Sequence, residues 1–174
     1  MADDREERFS ALFRRHHTRV TAYVLRRTDD AGRADDVVAE TFAAAWRHID
    51  RLPEEPLPWL FRTAGNCLAN DRRSRRRQAR MIGSLAGLGA TSVADHAVDV
   101  AESARLRDAL AALPPRDREA LLLVAWEGLD QRSAAEALGC SVTAFKVRLH
   151  RARRRFAALL ESTPSVETRT EAHR

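Results

Sequence analysis

Lysine is almost missing from this chain. Of the 30 lysines and arginines only Lys146 is lysine, a bias that, with so much alanine, matches a GC-rich genome and makes the choice of arginine over lysine weak evidence. Cysteine is nearly as scarce. Cys67 and Cys140 stand far apart, with no cysteine or histidine at a zinc-ligand spacing, so neither a metal site nor a disulfide framework is indicated. No apolar run approaches the length of a membrane span, and the opening MADDREERF is charged where a secretory leader would be apolar. The expectation is a chain that is neither inserted in a membrane nor exported, with the cytoplasm as its location. A catalytic constellation is lacking too: His16, His17, Cys67 and His150 have no base, orienting acid or oxyanion donor at a motif spacing. Core or surface positions explain them, and no enzyme activity or cofactor is expected.

What is present is charge in an uneven distribution. A formal net charge of +5 and a pI near 10.4 suit a polyanionic partner, although 25 acidic residues keep the excess modest. The excess gathers in two places. From Pro58 to Arg77, PWLFRTAGNCLANDRRSRRR, apolar residues Leu60, Ala64 and Cys67 or Leu68 keep helical spacing in the first half, and arginine dominates the second. Arg62, Asn66, Asn70, Arg73 and Arg77 recur three or four positions apart on another face. An arginine run alone is as well explained by a solvated surface. Two asparagines on the same face are not, because amides lower helix propensity and add little to solubility. A helix anchored at one end, with amides and cations along its open side, can hold phosphates and reach base edges.

The segments before this one read as amphipathic helices. Phe9, Leu12, Phe13, His16, Val20, Tyr23, Val24 and Arg27 share one face of a first helix, its charged opening residues expected to fray. A polar break at 28–32 offers Asp29 or Asp30 as the N-cap of a second helix running to about His48. Val37, Val38, Thr41, Phe42, Ala45, Trp46 and Ile49 form its core face, leaving Asp35, Asp36 and Glu40 as an exposed acidic patch. Helix-dipole and solubility effects account for that patch as readily as a partner does. Trp46 and Trp59 are expected in the core. Pro53, Pro56 and Pro58 enforce a tight connection to the Pro58–Arg77 helix.

Residues 81–97, rich in glycine and small side chains, read as an interdomain linker. Beyond it a helix from about Val98 ends at Pro114 and Pro115, and another starts there with Asp117 and Glu119 in its first turn. Leu121, Leu122, Val124, Ala125 and Trp126 are expected to bury this second helix, with Gly128 as its C-cap. Asp130 caps a short helix closed by Gly139, and Ser141 caps a long one with Val142, Phe145, Leu149, Ala152, Phe156 and Leu159 inward. Cys140 fills the turn between them as a buried thiol. A short helix, a tight turn and a longer basic helix is the pattern of a helix-turn-helix, though an antiparallel hairpin generates the same periodicity. In the first geometry Thr143, Lys146, Val147, Arg148 and Arg151 meet base edges, and Arg153 to Arg155 meet phosphate. The tail from Glu161 is expected to be disordered.

Taken in order and spacing, ADDVVAETFAAAWR (34–47), PWLFRTAGNCLANDRRSRRR (58–77) and LPPRDREALLLVAWEGLDQRSAAEALGCSVTAFKVRLHRARRRF (113–156) resemble the extracytoplasmic-function sigma factors of bacterial RNA polymerase. The resemblance implies an all-α fold of two small helical domains joined by a flexible linker: region 2 over 1–80, a linker over 81–101, a region 4 helix-turn-helix over 102–161, and a disordered tail over 162–174. It implies promoter-specific initiation with RNA polymerase core, through the beta-prime clamp helices and the beta flap, and with promoter DNA. Asp35, Asp36 and Glu40 match the core-binding positions. Arg62, Asn66, Asn70, Arg72, Arg73 and Arg77 match the segment that melts and holds the minus-10 element, and Thr143, Lys146, Val147, Arg148, Arg151 and Arg154 the minus-35 readers. An anti-sigma protein that masks these surfaces until core binds is a further expectation. The chain departs from the family pattern at Ala39, where a glutamine is usual, at Gly65, where arginine is common, and at Val147, often a small polar residue. The competing reading is a stand-alone helix-turn-helix regulator with an N-terminal dimerisation or sensor domain, which would bind duplex DNA without polymerase.

Overall fold

The structure, a computed structural model, describes residues 2–28, 30–81 and 100–162, all in helices or short connections, with no strand among them. The chain divides into two compact units, Met1–Ser92 and Val93–Arg174. The expected linker falls almost wholly outside the described residues, as does the expected tail apart from Ser162, where the last helix ends.

In the first unit, α1 (Ala2–Leu25), α2 (Ala31–Arg47) and α3 (Leu57–Met81) pack pairwise, with a single 3-10 turn, Ile49–Arg51, after α2. Each helix buries one stripe. Val20, Tyr23 and Val24 come from α1, Ala34, Val37, Val38, Thr41, Phe42 and Ala45 from α2, and Leu60, Phe61, Ala64, Cys67 and Leu68 from α3. Fully burying side chains the size of Phe61 and Leu60 contributes roughly 1.5–3 kcal/mol each, which drives the association. Asp30 caps α2 by accepting the Arg33 N–H at 3.2 Å. The start of α1 is helical from Ala2 rather than frayed: Arg5 and Arg8 both pair with Asp50 across the 3-10 turn, and Arg8 donates to the Ile49 carbonyl at 3.0 Å. Trp46 is not core. It is 37% exposed, edge-on to Phe9 at 5.3 Å and covered by the Arg5 guanidinium, because residue 46 falls at the rim of the α2 stripe. Trp59 is half-buried beside His48.

A stack of three side chains joins α1 to α3. Tyr23 lies flat on Phe61 with centroids 4.5 Å apart, and the buried Arg27 guanidinium sits 3.5 Å above the Tyr23 ring while donating to the Tyr23 carbonyl. The stack gives Gly65 a use. A Cβ there would stand 3.1 Å from the Tyr23 hydroxyl oxygen, so glycine lets the phenol lie close against α3.

In the second unit, α4 (Val100–Ala112), α5 (Pro115–Ala125) and α6 (Gln131–Leu138) all pack on α7 (Val142–Ser162). Leu110, Leu113 and Leu122 form one apolar cluster with Leu121, Phe156 and Leu159, while Phe145, Leu149 and Ala152 bury the rest of the α7 stripe. Trp126, expected inside, is 44% exposed, and Ala125 is exposed. The helix ends at Ala125, and Trp126 is itself the C-cap, donating its N–H to the Leu122 carbonyl at 2.9 Å. Gly128, read as that cap, lies two residues further on at φ +67°. Asp130 does cap α6, accepting the Ser133 N–H at 2.7 Å, and these bonds hold its carboxyl below the usual carboxylate range. Gly139 closes α6 in the left-handed conformation (φ 68°, ψ 42°), with the Cys140 N–H returning to the Ala135 carbonyl. Ser141 then accepts the Ala144 N–H at 3.2 Å and starts α7. Cys140 is half-buried in this turn.

Candidate nucleic-acid interface and acidic patch

The burial of α3 stops partway along it. Its inward stripe ends at Leu68, and no described side chain from there to Met81 is buried. Arg62, Asn66, Asn70, Arg72, Arg73 and Arg77 are all exposed, so the amide and guanidinium face expected from the spacing exists. Three of its members already have partners. The Asn70 side-chain oxygen accepts a hydrogen bond from Arg73, which leaves its NH2 group as the donor end of that amide. Arg72 reaches back to α1 and donates to the Arg27 carbonyl at 2.8 Å, satisfying an orphan carbonyl at the helix end. Arg72 therefore has a structural task that periodicity did not reveal.

Asp35, Asp36 and Glu40 are exposed on α2, as expected. Asp36 and Glu40 do more than face solvent. They form one side of a cleft of about 600 Å³ whose other side is α3, carrying Asn70, Arg73 and Arg77. Cys67 lines this cleft as well, and burial, reinforced by the Glu40 charge and hydrogen bond, pushes its thiol up to about 11. At the cleft's edge Asp71 accepts from Arg75 at 3.2 Å and faces Arg33 at 3.7 Å, while Arg33 also pairs with Asp30. The spacing of Asp71 within an arginine run would have suggested an i,i+4 pair with Arg75. The link from α3 to α2 through Arg33 needed the fold.

In the second unit α7 presents Thr143, Lys146, Val147, Arg151 and Arg154 as exposed side chains, Val147 at 47%. Arg148 is half-buried, bordering the Phe145–Ala152 stripe. Arg155 was grouped with the phosphate contacts, yet it forms an ion pair with the buried Asp117 in the first turn of α5. Arg105 and Arg118 likewise serve helix ends, donating to the Leu160 carbonyl and to the Ala111 and Leu113 carbonyls. His150, for which core and surface positions were both open, is exposed one turn before Arg154. No grouping of three or more metal-ligating side chains occurs among the described residues, and no described helix is long and apolar enough to cross a membrane.

One helical unit thus carries an open amide and arginine face, and the other a capped helix-turn-helix with an open basic face. Family models agree unit by unit: Sigma-70 region 2 matches residues 12–78, and Sigma-70, region 4 matches residues 103–156. The ECF RNA polymerase sigma factor EcfG of Rhodopseudomonas palustris is 37% identical over 143 residues, covering 80% of this chain and 77% of the relative. SigL of Mycobacterium tuberculosis, another ECF sigma factor, is 32% identical over 156 residues, covering 87% and 88%. Among solved structures, the sigma factor RpoE of Bartonella quintana, in complex with the anti-sigma factor NepR, superposes with a TM-score of 0.65 at 25% identity, covering 90% of this chain and 98% of that one. The chain belongs to the ECF RNA polymerase sigma factors. It directs promoter-specific transcription initiation by RNA polymerase. A stand-alone regulator would carry a dimerisation or sensor domain as its first unit, and the region 2 match there sets that alternative aside.

Proposed function

We propose that the division of labour follows the three exposed faces. Asp35, Asp36 and Glu40 dock on the beta-prime clamp helices of core polymerase. Arg62, Asn66, Asn70, Arg73 and Arg77 hold the melted minus-10 strand, with amides on an unstacked base and guanidiniums on phosphates. Thr143, Lys146, Val147, Arg148, Arg151 and Arg154 read the minus-35 duplex, each good base contact worth about 1–3 kcal/mol of discrimination. The second unit also meets the beta flap. Region 2 then spans 1–80 and region 4 spans 102–161, joined by 81–101. The observation that carries this reading is that α3 and α7 each bury one stripe and leave the opposite, nucleic-acid-suited side chains open.

The protein contributes no bond-making group, since polymerase supplies the chemistry, and it works in the cytoplasm. An anti-sigma protein covers these faces before core binds, a proposal supported by the solved relative that holds one. Run-off transcription with purified core polymerase and fragmented host DNA tests the assignment. Discrete start sites should depend on the wild-type protein and disappear with a folded D36A/E40A variant. Start sites that survive that variant would return the acidic patch to a solubility role. For the anti-sigma partner, gel filtration of a lysate should show a complex smaller than polymerase, and elution only as monomer or with core would refute it.

A further inference from the structure

A second cavity of the first unit shares no residue with the α2–α3 cleft. It holds about 360 Å³ and lies between α1 and the connection that runs from the 3-10 turn to α3. Arg8 pins that connection, donating to the Ile49 carbonyl and pairing with Asp50. The cavity has two unlike sides. Leu12 and Leu52 give it an apolar wall, whereas Arg15, His16 and Glu54 are polar. His16 is only 5% exposed and its Nδ1 has no hydrogen-bond partner, a costly state for a buried imidazole. Arg15 is exposed, and no ion pair holds it among the described residues. Burial, then Arg15 and Arg19, keep the imidazole below the usual histidine range, while Glu55 pulls the other way. The protein thus leaves an orphan ring nitrogen and an unmatched guanidinium on the same cavity.

We propose that this cavity binds a small phosphorylated molecule, with the phosphate between Arg15 and the His16 ring and the organic body on Leu12 and Leu52. A guanidinium fork suits phosphate oxygens, and the volume falls in the range of small-ligand sites. A nucleic-acid strand fits less well. It needs cations along a path, and here Arg8 is already committed to Asp50 and Ile49 while Glu54 opposes a second phosphate. An anion beside the imidazole favours the protonated ring, whose N–H groups then donate. By linkage, ligand binding and protonation of His16 strengthen each other, so the site tightens as pH falls from about 8 towards 6. None of these residues belongs to the faces proposed for polymerase or DNA, and the site stands or falls apart from that reading.

The test is titration of the full chain, labelled with 15N-histidine, with phenyl phosphate and separately with inorganic phosphate, followed by NMR of the imidazole signals. One ring signal, the one missing from His16→Asn, should shift saturably and titrate at higher pH when ligand is bound. Phenyl phosphate should bind at least about threefold more tightly than inorganic phosphate, because its ring covers the apolar wall. Arg15→Gln should weaken binding about fivefold or more, and Glu54→Gln should tighten it about twofold. Arg14→Gln, exposed on the same helix but outside the cavity, should change it less than about twofold. These three side chains are exposed, so their variants carry the test even if His16→Asn does not fold. Far-UV circular dichroism checks each variant. The proposal is overturned by the absence of any saturable shift up to ~10 mM ligand, by an equal loss from Arg14→Gln, or by a His16 titration that ligand leaves in place. It is overturned as well if a single-stranded DNA 20-mer shifts the His16 signal and phenyl phosphate does not, since the occupant is then a strand.

Discussion

The two basic helices are built differently. α3 is buried through Leu68 and then runs on with no fully buried side chain among its described residues, half-burying only Ala69, Asp71 and Arg75, whereas α7 buries or half-buries Phe145, Leu149, Ala152, Phe156 and Leu159 along most of its length against three other helices. A helix that reads duplex DNA has to present several side chains in fixed register to a groove, and packing along its length supplies that rigidity. Holding a melted strand asks for accessible amides and cations along a backbone path, which the free half of α3 offers. The difference teaches that the same residue type does two jobs. Arg72, Arg105, Arg118 and Arg155 are committed to carbonyls or a carboxylate of the fold, while Arg77, Arg151 and Arg154 stand open.

The sharpest way to break the comparison is to damage one core at a time. Phe61→Ala should cost the first unit about 3–5 kcal/mol and Phe145→Ala the second unit a similar amount. Hydrogen exchange followed by mass spectrometry should show each loss of protection confined to its own unit. Spread of either loss across both units would contradict independent cores. Next comes the pair Arg155→Ala and Arg154→Ala. The first leaves the buried Asp117 carboxylate without its partner and should lower stability by about 1–3 kcal/mol in urea titration. The second should leave stability within about 0.5 kcal/mol and reduce the salt slope of duplex binding by about one. The same contrast recurs on α3 with a smaller effect. Arg72→Ala should cost about 1 kcal/mol with an unchanged salt slope for single strands, and Arg73→Ala should do the reverse. Equal slopes for the two variants would make Arg72 a phosphate ligand after all.

Smallest is the effect at Gly65. Alanine there gains up to about 1 kcal/mol of helix propensity but crowds the Tyr23 hydroxyl, so Gly65→Ala should be near neutral alone. Relative to Tyr23→Phe, where the hydroxyl is gone, the same change should stabilise by about 0.5–1 kcal/mol more than in the wild type, measured as a double-mutant cycle in thermal unfolding. Additive effects would mean that the phenol moves aside freely.

These contrasts also mark how far the sequence could be read. Helical periodicity placed the buried stripes of α2, α3 and α7 and the exposed Asp35, Asp36, Glu40, Asn66 and Asn70, because a stripe at 3.6-residue spacing admits one inward side. The caps at Asp30, Asp130, Gly139 and Ser141 were legible too, each being a residue type chosen for one local geometry. Trp46 and Trp126 were misplaced because hydrophobicity gives no measure of how far round the cylinder a neighbour reaches. The structural partners of Arg72 and Arg155 were not legible for another reason. Their partners, the Arg27 carbonyl and the Asp117 carboxylate, lie 45 and 38 residues away, and no local pattern says which arginine will find a helix end. The cleft shared by the two proposed binding faces was invisible for the same cause, since it exists only once α2 lies beside α3.

One small bond acquires mechanical weight from where it sits. Arg72 fastens α3 to the end of α1 just after the buried part of the helix gives out, and about 14 Å of helix extends from there to Met81. The free half is thus a lever with its fulcrum at the Arg27 carbonyl. A tilt of only ~10° at that point would sweep the far end by roughly 2–3 Å, comparable to the reach of a hydrogen bond. A small shift at the end of α1 would therefore be magnified as displacement at the tip of α3, where Arg77 and Arg80 lie, without disturbing the core.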